Sequence, residues 1–252
     1  MVQREWQSFW LALGFLSRIP VPVRIDYSQR LMNQSSLYFP LVGLLLGALY
    51  AGLFLLLETL LPTLPALLTV VSFHLYITGA FHEDGLADSV DALGGGFTVE
   101  KRLAIMKDSR IGTYGAVALI MALALKVALL LETPHLWLAL LVTPCLARLT
   151  PLLLMHCMPY VTETQGSKTK PVAESFSRQR LCLALAFCAL VALAFSHWHS
   201  QLLLLFLLAT AATALFWGWR LHRLLGGYTG DALGASVIFA ELLLLAGLVY
   251  LS

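Results

Sequence analysis

Seven stretches of this sequence stay apolar for roughly the 20 residues that a helix needs to cross a hydrocarbon core. They lie at about 37–57, 63–81, 112–131, 136–157, 181–197, 201–219 and 234–252. Inside a bilayer the backbone has no water to bond, so a spanning segment is a helix or part of a closed barrel. Runs this long, without strand-like alternation, select the helix. The chain is 59% hydrophobic and 12% charged, whereas a soluble domain carries roughly 25% charged residues. The expected fold is therefore all-α: a polytopic integral membrane helical bundle with about seven transmembrane helices. The segment 6–17 is too short to cross and is expected to be an N-terminal interfacial or re-entrant helix. Residues 58–62 make a tight hairpin between the first two spans, and 197–200 make another, with Trp198 suited to an interface.

The basic residues set the sidedness. Arg4, Arg18, Arg24 and Arg30 precede the first span, and Lys101, Arg102, Lys107 and Arg110 follow the second. Lys168, Lys170, Arg178 and Arg180 follow the fourth, and Arg220 and Arg223 follow the sixth. The alternate connections hold no Lys or Arg, and only Lys126 and Arg148 of the 16 basic residues fall inside spans. By the positive-inside rule the N-terminus and the loops at about 82–111, 158–180 and 220–233 are cytoplasmic. Residues 1–252 read as a single membrane-embedded domain without internal repeats. Cys145, Cys157, Cys182 and Cys188 sit in apolar runs without CxxC spacing, so neither a zinc site nor a disulfide framework is indicated.

Against this apolar background, Glu83, Asp84, Asp88 and Asp91 place four of the chain's 14 acidic residues within one short segment. Clustered carboxylates beside lipid are costly unless something neutralises them, and a divalent cation does so. If the helix of the second span continues through residue 91, Asp84, Asp88 and Asp91 fall at i, i+4 and i+7 on one face. Glu83 then points about a quarter turn away, and residues 94–96, all glycine, end the helix. Such an all-oxygen face suits Mg²⁺ or Mn²⁺ better than zinc, since His82 is the lone imidazole.

Mg²⁺ held by carboxylates commonly binds substrate phosphates too. Cations for those phosphates stand nearby. Thr98 is placed to cap a short helix over 99–107, after which Lys107 and Arg110 bracket Asp108 beside Gly112, Tyr114 and Gly115. A third polar segment, Gly226-Gly227-Tyr228-Thr229-Gly230-Asp231, opens the last span with backbone N–H groups suited to an anion and one acid suited to a metal. Within the spans, Arg148 is expected either to pair with Glu241 or to contact substrate.

Three of these segments, His82-Glu83-Asp84-Gly85-Leu86-Ala87-Asp88, Met106-Lys107-Asp108-Ser109-Arg110-Ile111-Gly112-Thr113-Tyr114-Gly115 and Gly227-Tyr228-Thr229-Gly230-Asp231-Ala232-Leu233-Gly234-Ala235, resemble the signature blocks of the cobalamin synthase (adenosylcobinamide-GDP ribazoletransferase) family. Phe15-Leu16-Ser17-Arg18-Ile19-Pro20-Val21-Pro22 and Phe39-Pro40-Leu41-Val42-Gly43 match it as well. The resemblance covers nearly the whole chain in order. That family often has Leu where Glu83 stands, which sets Glu83 apart from the other acids. The acidic block is also similar, more loosely, to the Asp-rich motif of CDP-alcohol phosphotransferases.

The resemblance implies a Mg²⁺-dependent enzyme of the bacterial cytoplasmic (inner) membrane. Its partners would be adenosylcobinamide-GDP, α-ribazole or its 5′-phosphate, and membrane lipid, with no nucleic acid; a homo-oligomer is left open. It would yield adenosylcobalamin or its 5′-phosphate, and GMP. On this reading Asp84, Asp88 and Asp91 bind metal, completed by Asp231 or Asp108. Lys107 and Arg110 neutralise the leaving GMP, and Tyr114, Thr229 and Arg148 contact substrate. The general base is Asp91 or His82, a choice the sequence leaves open. The competing classes are a lipid phosphotransferase of the CDP-alcohol type and a transporter. The acids gather at a membrane edge rather than along a path through several spans, which disfavours the transporter.

Overall fold

The computed structural model describes residues 2–161 and 173–250. Within them the chain forms α1 (Val2–Leu16), α2 (Gln29–Ser35), α3 (Phe39–Glu58), α4 (Thr63–Thr78), α5 (Phe81–Gly95), α6 (Val99–Met106), α7 (Thr113–Glu132), α8 (Leu136–Ala147), α9 (Leu149–Cys157), α10 (Arg178–Ala194), α11 (Leu202–Leu225) and α12 (Gly230–Tyr250). A single 3₁₀ turn, Ser36–Tyr38, joins α2 to α3. Lys168 and Lys170, which entered the sidedness argument, lie outside the described residues.

Five stretches are long and apolar enough to cross a membrane: Gln29–Glu58, Thr113–Glu132, Leu136–Cys157, Leu202–Leu225 and Gly230–Tyr250. The pair α4–α5 makes a sixth only if counted together, and its halves meet at 83°. The difference from seven has local causes. The apolar run that starts at Thr63 stays helical for 16 residues, and α10 has 17. Leu45, Leu49, Leu190, Leu215 and Phe216 are exposed on the outside of the bundle, a surface suited to lipid rather than to water. The interior is built around α8 and α9, where Val142, Cys145, Leu146, Ala147 and Leu152 are fully buried.

The bend after α4 corrects one expectation. The helix of the second span does not run on to residue 91. Gly79 (φ 69°) and Ala80 (φ 55°) both take the left-handed conformation, which ends α4 and redirects the chain. A left-handed alanine is strained by about 1–2 kcal/mol, so the surroundings must hold it. The segment after α1 does this: the Arg18 N–H donates to the Ile77 carbonyl at 2.7 Å. Its guanidinium lies 6.0 Å from the Tyr76 ring centroid. Turned in this way, α5 does not continue the crossing. It lies across the first turns of α7 and α12, with Asp91 against Gly112 and Gly115, and Gly85 against Asp231.

Candidate active site

Because α5 is itself helical, the spacing of Asp84, Asp88 and Asp91 survives the bend. Asp84 is exposed, Asp88 half-buried and Asp91 buried. Asp231, in the first turn of α12, joins them through a close helix crossing. A Cβ on Gly85 would stand 2.6 Å from the Asp231 carbonyl oxygen, so only glycine lets the two backbones meet there. Burial, then the charges of Asp84, Asp231 and Asp91, push the Asp88 carboxyl up to about 7. Every charge acting on it is negative.

The donor set of Asp84, Asp88 and Asp231 is all carboxylate oxygen, which fits a hard cation such as Mg²⁺. Among the described residues no three His, Cys, Asp or Glu side chains already converge at coordinating distance. The acids are near enough to perturb one another.

Two of the expected metal ligands have other partners. Both Asp91 oxygens accept backbone N–H groups at the start of α7: Oδ2 from Gly112 at 2.7 Å and Oδ1 from Gly115 at 2.8 Å. A helix start leaves its first N–H groups without partners, and a buried carboxylate supplies both acceptance and favourable charge. Asp91 is thus a cap on α7. Asp108 is gripped by Arg110, whose Nε and Nη2 donate to it at 3.0 and 2.7 Å. Those hydrogen bonds hold the Asp108 carboxyl down at about 2. Asp108, Arg110 and Tyr114 line, with Asp91, an open groove of about 500 Å³ between α5, α6 and α7. Lys107 lies at the C-terminus of α6, exposed beside that groove.

Thr229 has partners of its own. Its hydroxyl accepts the Ala232 N–H at 3.2 Å and faces Met106 Sδ at 3.5 Å, and the residue is buried. It caps α12 rather than facing a substrate. The adjoining Tyr228 ties the loop down, with its Oη donating to the Ala173 carbonyl at 2.8 Å.

Glu83, set apart by its angle on the helix, is turned inward. Its Oε1 lies 2.9 Å from His74 Nε2, and His74 Nδ1 lies 3.0 Å from Tyr50 Oη. All three are buried. His74 and Tyr50 belong to no motif in the sequence. A histidine and a tyrosine within apolar spans were the available signal, since buried polar groups need partners.

Glu241 pairs with Lys126 at 3.1 Å and with Thr143 Oγ1 at 3.4 Å, so the proposed pairing with Arg148 is absent. Arg148 interrupts the α8–α9 span and is 2% exposed. Its Nη1 donates to the Pro144 carbonyl at 2.6 Å. His82 lies close to Arg148, and both face one cavity. Burial, reinforced by the Arg148 charge, holds the His82 imidazole well below its usual range, and hence neutral.

Fold and site together define a polytopic helical membrane protein with a carboxylate centre gathered by a helix laid across the ends of its spans. More particularly, the chain belongs to the cobalamin-5-phosphate synthase family, whose model matches residues 8–249. It is 41% identical over 248 residues to an adenosylcobinamide-GDP ribazoletransferase of Vibrio parahaemolyticus, covering 97% of this chain and 92% of that protein. It is 43% identical over 251 residues to that of Vibrio cholerae, covering 97% and 94%. The protein of the same name from Shewanella woodyi is 40% identical over 249 residues, covering 96% and 95%. No solved structure matches the chain.

Proposed function

We propose that this chain transfers the adenosylcobinamide-phosphate moiety of adenosylcobinamide-GDP to α-ribazole or its 5′-phosphate, releasing GMP, in cobalamin biosynthesis. The observation that carries this reading is the near full-length similarity to proteins of that name, joined to a carboxylate cluster whose chemistry suits a metal–diphosphate. Asp84, Asp88 and Asp231 would hold Mg²⁺. When bound, the ion neutralises charge on the diphosphate.

The reaction makes one P–O bond and breaks another. The acceptor hydroxyl oxygen attacks the phosphorus that bears the cobinamide, and the bond to GMP breaks. Transfers of this kind rest mainly on positioning and on charge neutralisation. Arg110 and Lys107, on the exposed edge of the α5–α7 groove, meet the leaving GMP. Asp91 has both oxygens engaged by α7. That favours His82, neutral and facing the cavity, as acceptor of the hydroxyl proton.

The enzyme works in the bacterial cytoplasmic membrane, with the acidic helix and the basic loops on the cytoplasmic side. The test is a reaction of purified protein in detergent with adenosylcobinamide-GDP, α-ribazole and Mg²⁺. The expected result is GMP and adenosylcobalamin in equal amounts. Folded protein that yields neither, but transfers a phosphoalcohol from a CDP-alcohol or moves solute across a vesicle wall, would overturn the reading.

A further inference from the structure

Behind the carboxylate cluster lies a cavity lined by Phe15, Phe81, His82, Arg148, Gly230 and Leu233, among others. Arg148 is the charged residue of this lining, and it is 2% exposed. Its Nη1 is taken by the Pro144 carbonyl, but Nε and Nη2 have no hydrogen-bond partner. The buried acids nearby are engaged elsewhere: Glu241 by Lys126, and Glu83 by His74. A buried guanidinium with two open donors is unfavourable unless an anion completes it. Nε and Nη2 form the side-on edge of the guanidinium, the pair that binds two oxygens of one phosphate. Gly230, at the N-terminus of α12, lines the same cavity, although the Ala232 and Leu233 N–H groups of that turn are already taken by Thr229.

We propose that this cavity is a phosphoryl-binding subsite, in which Arg148 Nε and Nη2 receive one phosphate group of a substrate. It adjoins the carboxylate centre, with Gly230 next to Asp231 in the chain, but it binds the phosphoryl oxygens directly, by the donors of the guanidinium. Two substrates of the proposed reaction carry such a group, the phosphorylated acceptor and the diphosphate donor. Only that choice rests on the proposed function; the anion site itself does not.

The site is tested in two arms with the full chain in detergent. In the first, inorganic phosphate is added in EDTA, so that no metal bridges it to the carboxylates, and thermal unfolding is followed. Wild type should be stabilised, and Arg148→Gln should lose that stabilisation. Should Arg148→Gln fail to fold, Arg148→Lys serves, because it keeps the charge and removes the side-on pair. Equal stabilisation of wild type and variant, or none in wild type, would overturn the subsite. In the second arm, KM is measured for α-ribazole, α-ribazole 5′-phosphate and adenosylcobinamide-GDP. Loss of the paired contact should raise KM about tenfold or more for the substrate whose phosphate it holds, with kcat much less affected. A rise confined to α-ribazole 5′-phosphate assigns the subsite to the acceptor, and a rise for the donor with either acceptor assigns it to the diphosphate. Unchanged KM for all three overturns the assignment to a substrate. If wild type makes no product yet shows Arg148-dependent stabilisation by phosphate, the transferase reading falls and the anion site stands.

Discussion

Asp91 caps the helix that begins beside Gly112, its Oδ2 accepting the Gly112 N–H at 2.7 Å across a gap of 21 residues in sequence. A second bond, from Gly115 at 2.8 Å, fixes the other oxygen. Asp91→Ala should therefore cost about 1–2 kcal/mol of stability, seen as earlier thermal unfolding in detergent. Asp91→Asn keeps one oxygen acceptor and should lose less. Gly115→Ala should imitate Asp91→Ala, because a Cβ there would overlap the carboxylate. An Asp91→Ala protein as stable as wild type would remove the cap from the account.

The Lys126–Glu241 pair, 115 residues apart in sequence and closed at 3.1 Å, is the buried ion pair between α7 and α12. Removing one partner leaves the other charged inside the bundle. Glu241→Leu alone is expected to cost about 3–5 kcal/mol, and the double change with Lys126→Met to recover most of it. A double-mutant cycle on thermal or denaturant unfolding measures this coupling. Additive losses would mean that the two side chains do not depend on each other.

Asp88 carries the pH dependence. Its carboxyl is pushed up to about 7 by burial and by Asp84, Asp231 and Asp91, whereas the unfolded chain titrates near 4. Metal-free folded protein therefore holds a proton between those values that the unfolded chain has released. Its stability should fall as pH rises through that window. Mg²⁺ needs the ionised forms, so its affinity should rise about tenfold per pH unit from about 6 to about 7 and then level, and more steeply below about 6, where Asp231 is protonated as well. Titrating Mg²⁺ at several pH values checks this, and a flat affinity across the window would contradict it.

What the sequence made legible was local. Helical spacing placed Asp84 and Asp88 on one face whether or not α4 continued, because α5 repeats the same geometry from its own start. Thr98 caps α6 as its position before Val99 suggested, its Oγ1 accepting the Lys101 N–H at 3.2 Å. The glycines after Leu93 end α5, at Gly95. The left-handed Ala80 carries no such signature, since alanine ordinarily favours helix. Partners distant in sequence were also hidden. A carboxylate reads the same whether it will meet a metal, as proposed for Asp88, or two backbone amides, as Asp91 does. His74 has the side chain of an ordinary core histidine, and only folding brings Glu83 to it. Lys126 and Arg148 were equally plausible partners for Glu241 until the helices packed.

The central claim is that Asp88, with Asp84 and Asp231, holds the cation on which transfer depends. The direct measurement is GMP release from adenosylcobinamide-GDP and α-ribazole by wild type and Asp88→Asn across a Mg²⁺ titration, with folding of both checked by thermal unfolding. Wild-type release should rise with Mg²⁺ and stop in EDTA. Asp88→Asn, still folded, should lose about 10²-fold or more of the rate at every Mg²⁺ concentration. Release that persists in EDTA, or a folded Asp88→Asn protein with the wild-type rate and Mg²⁺ response, would contradict the account.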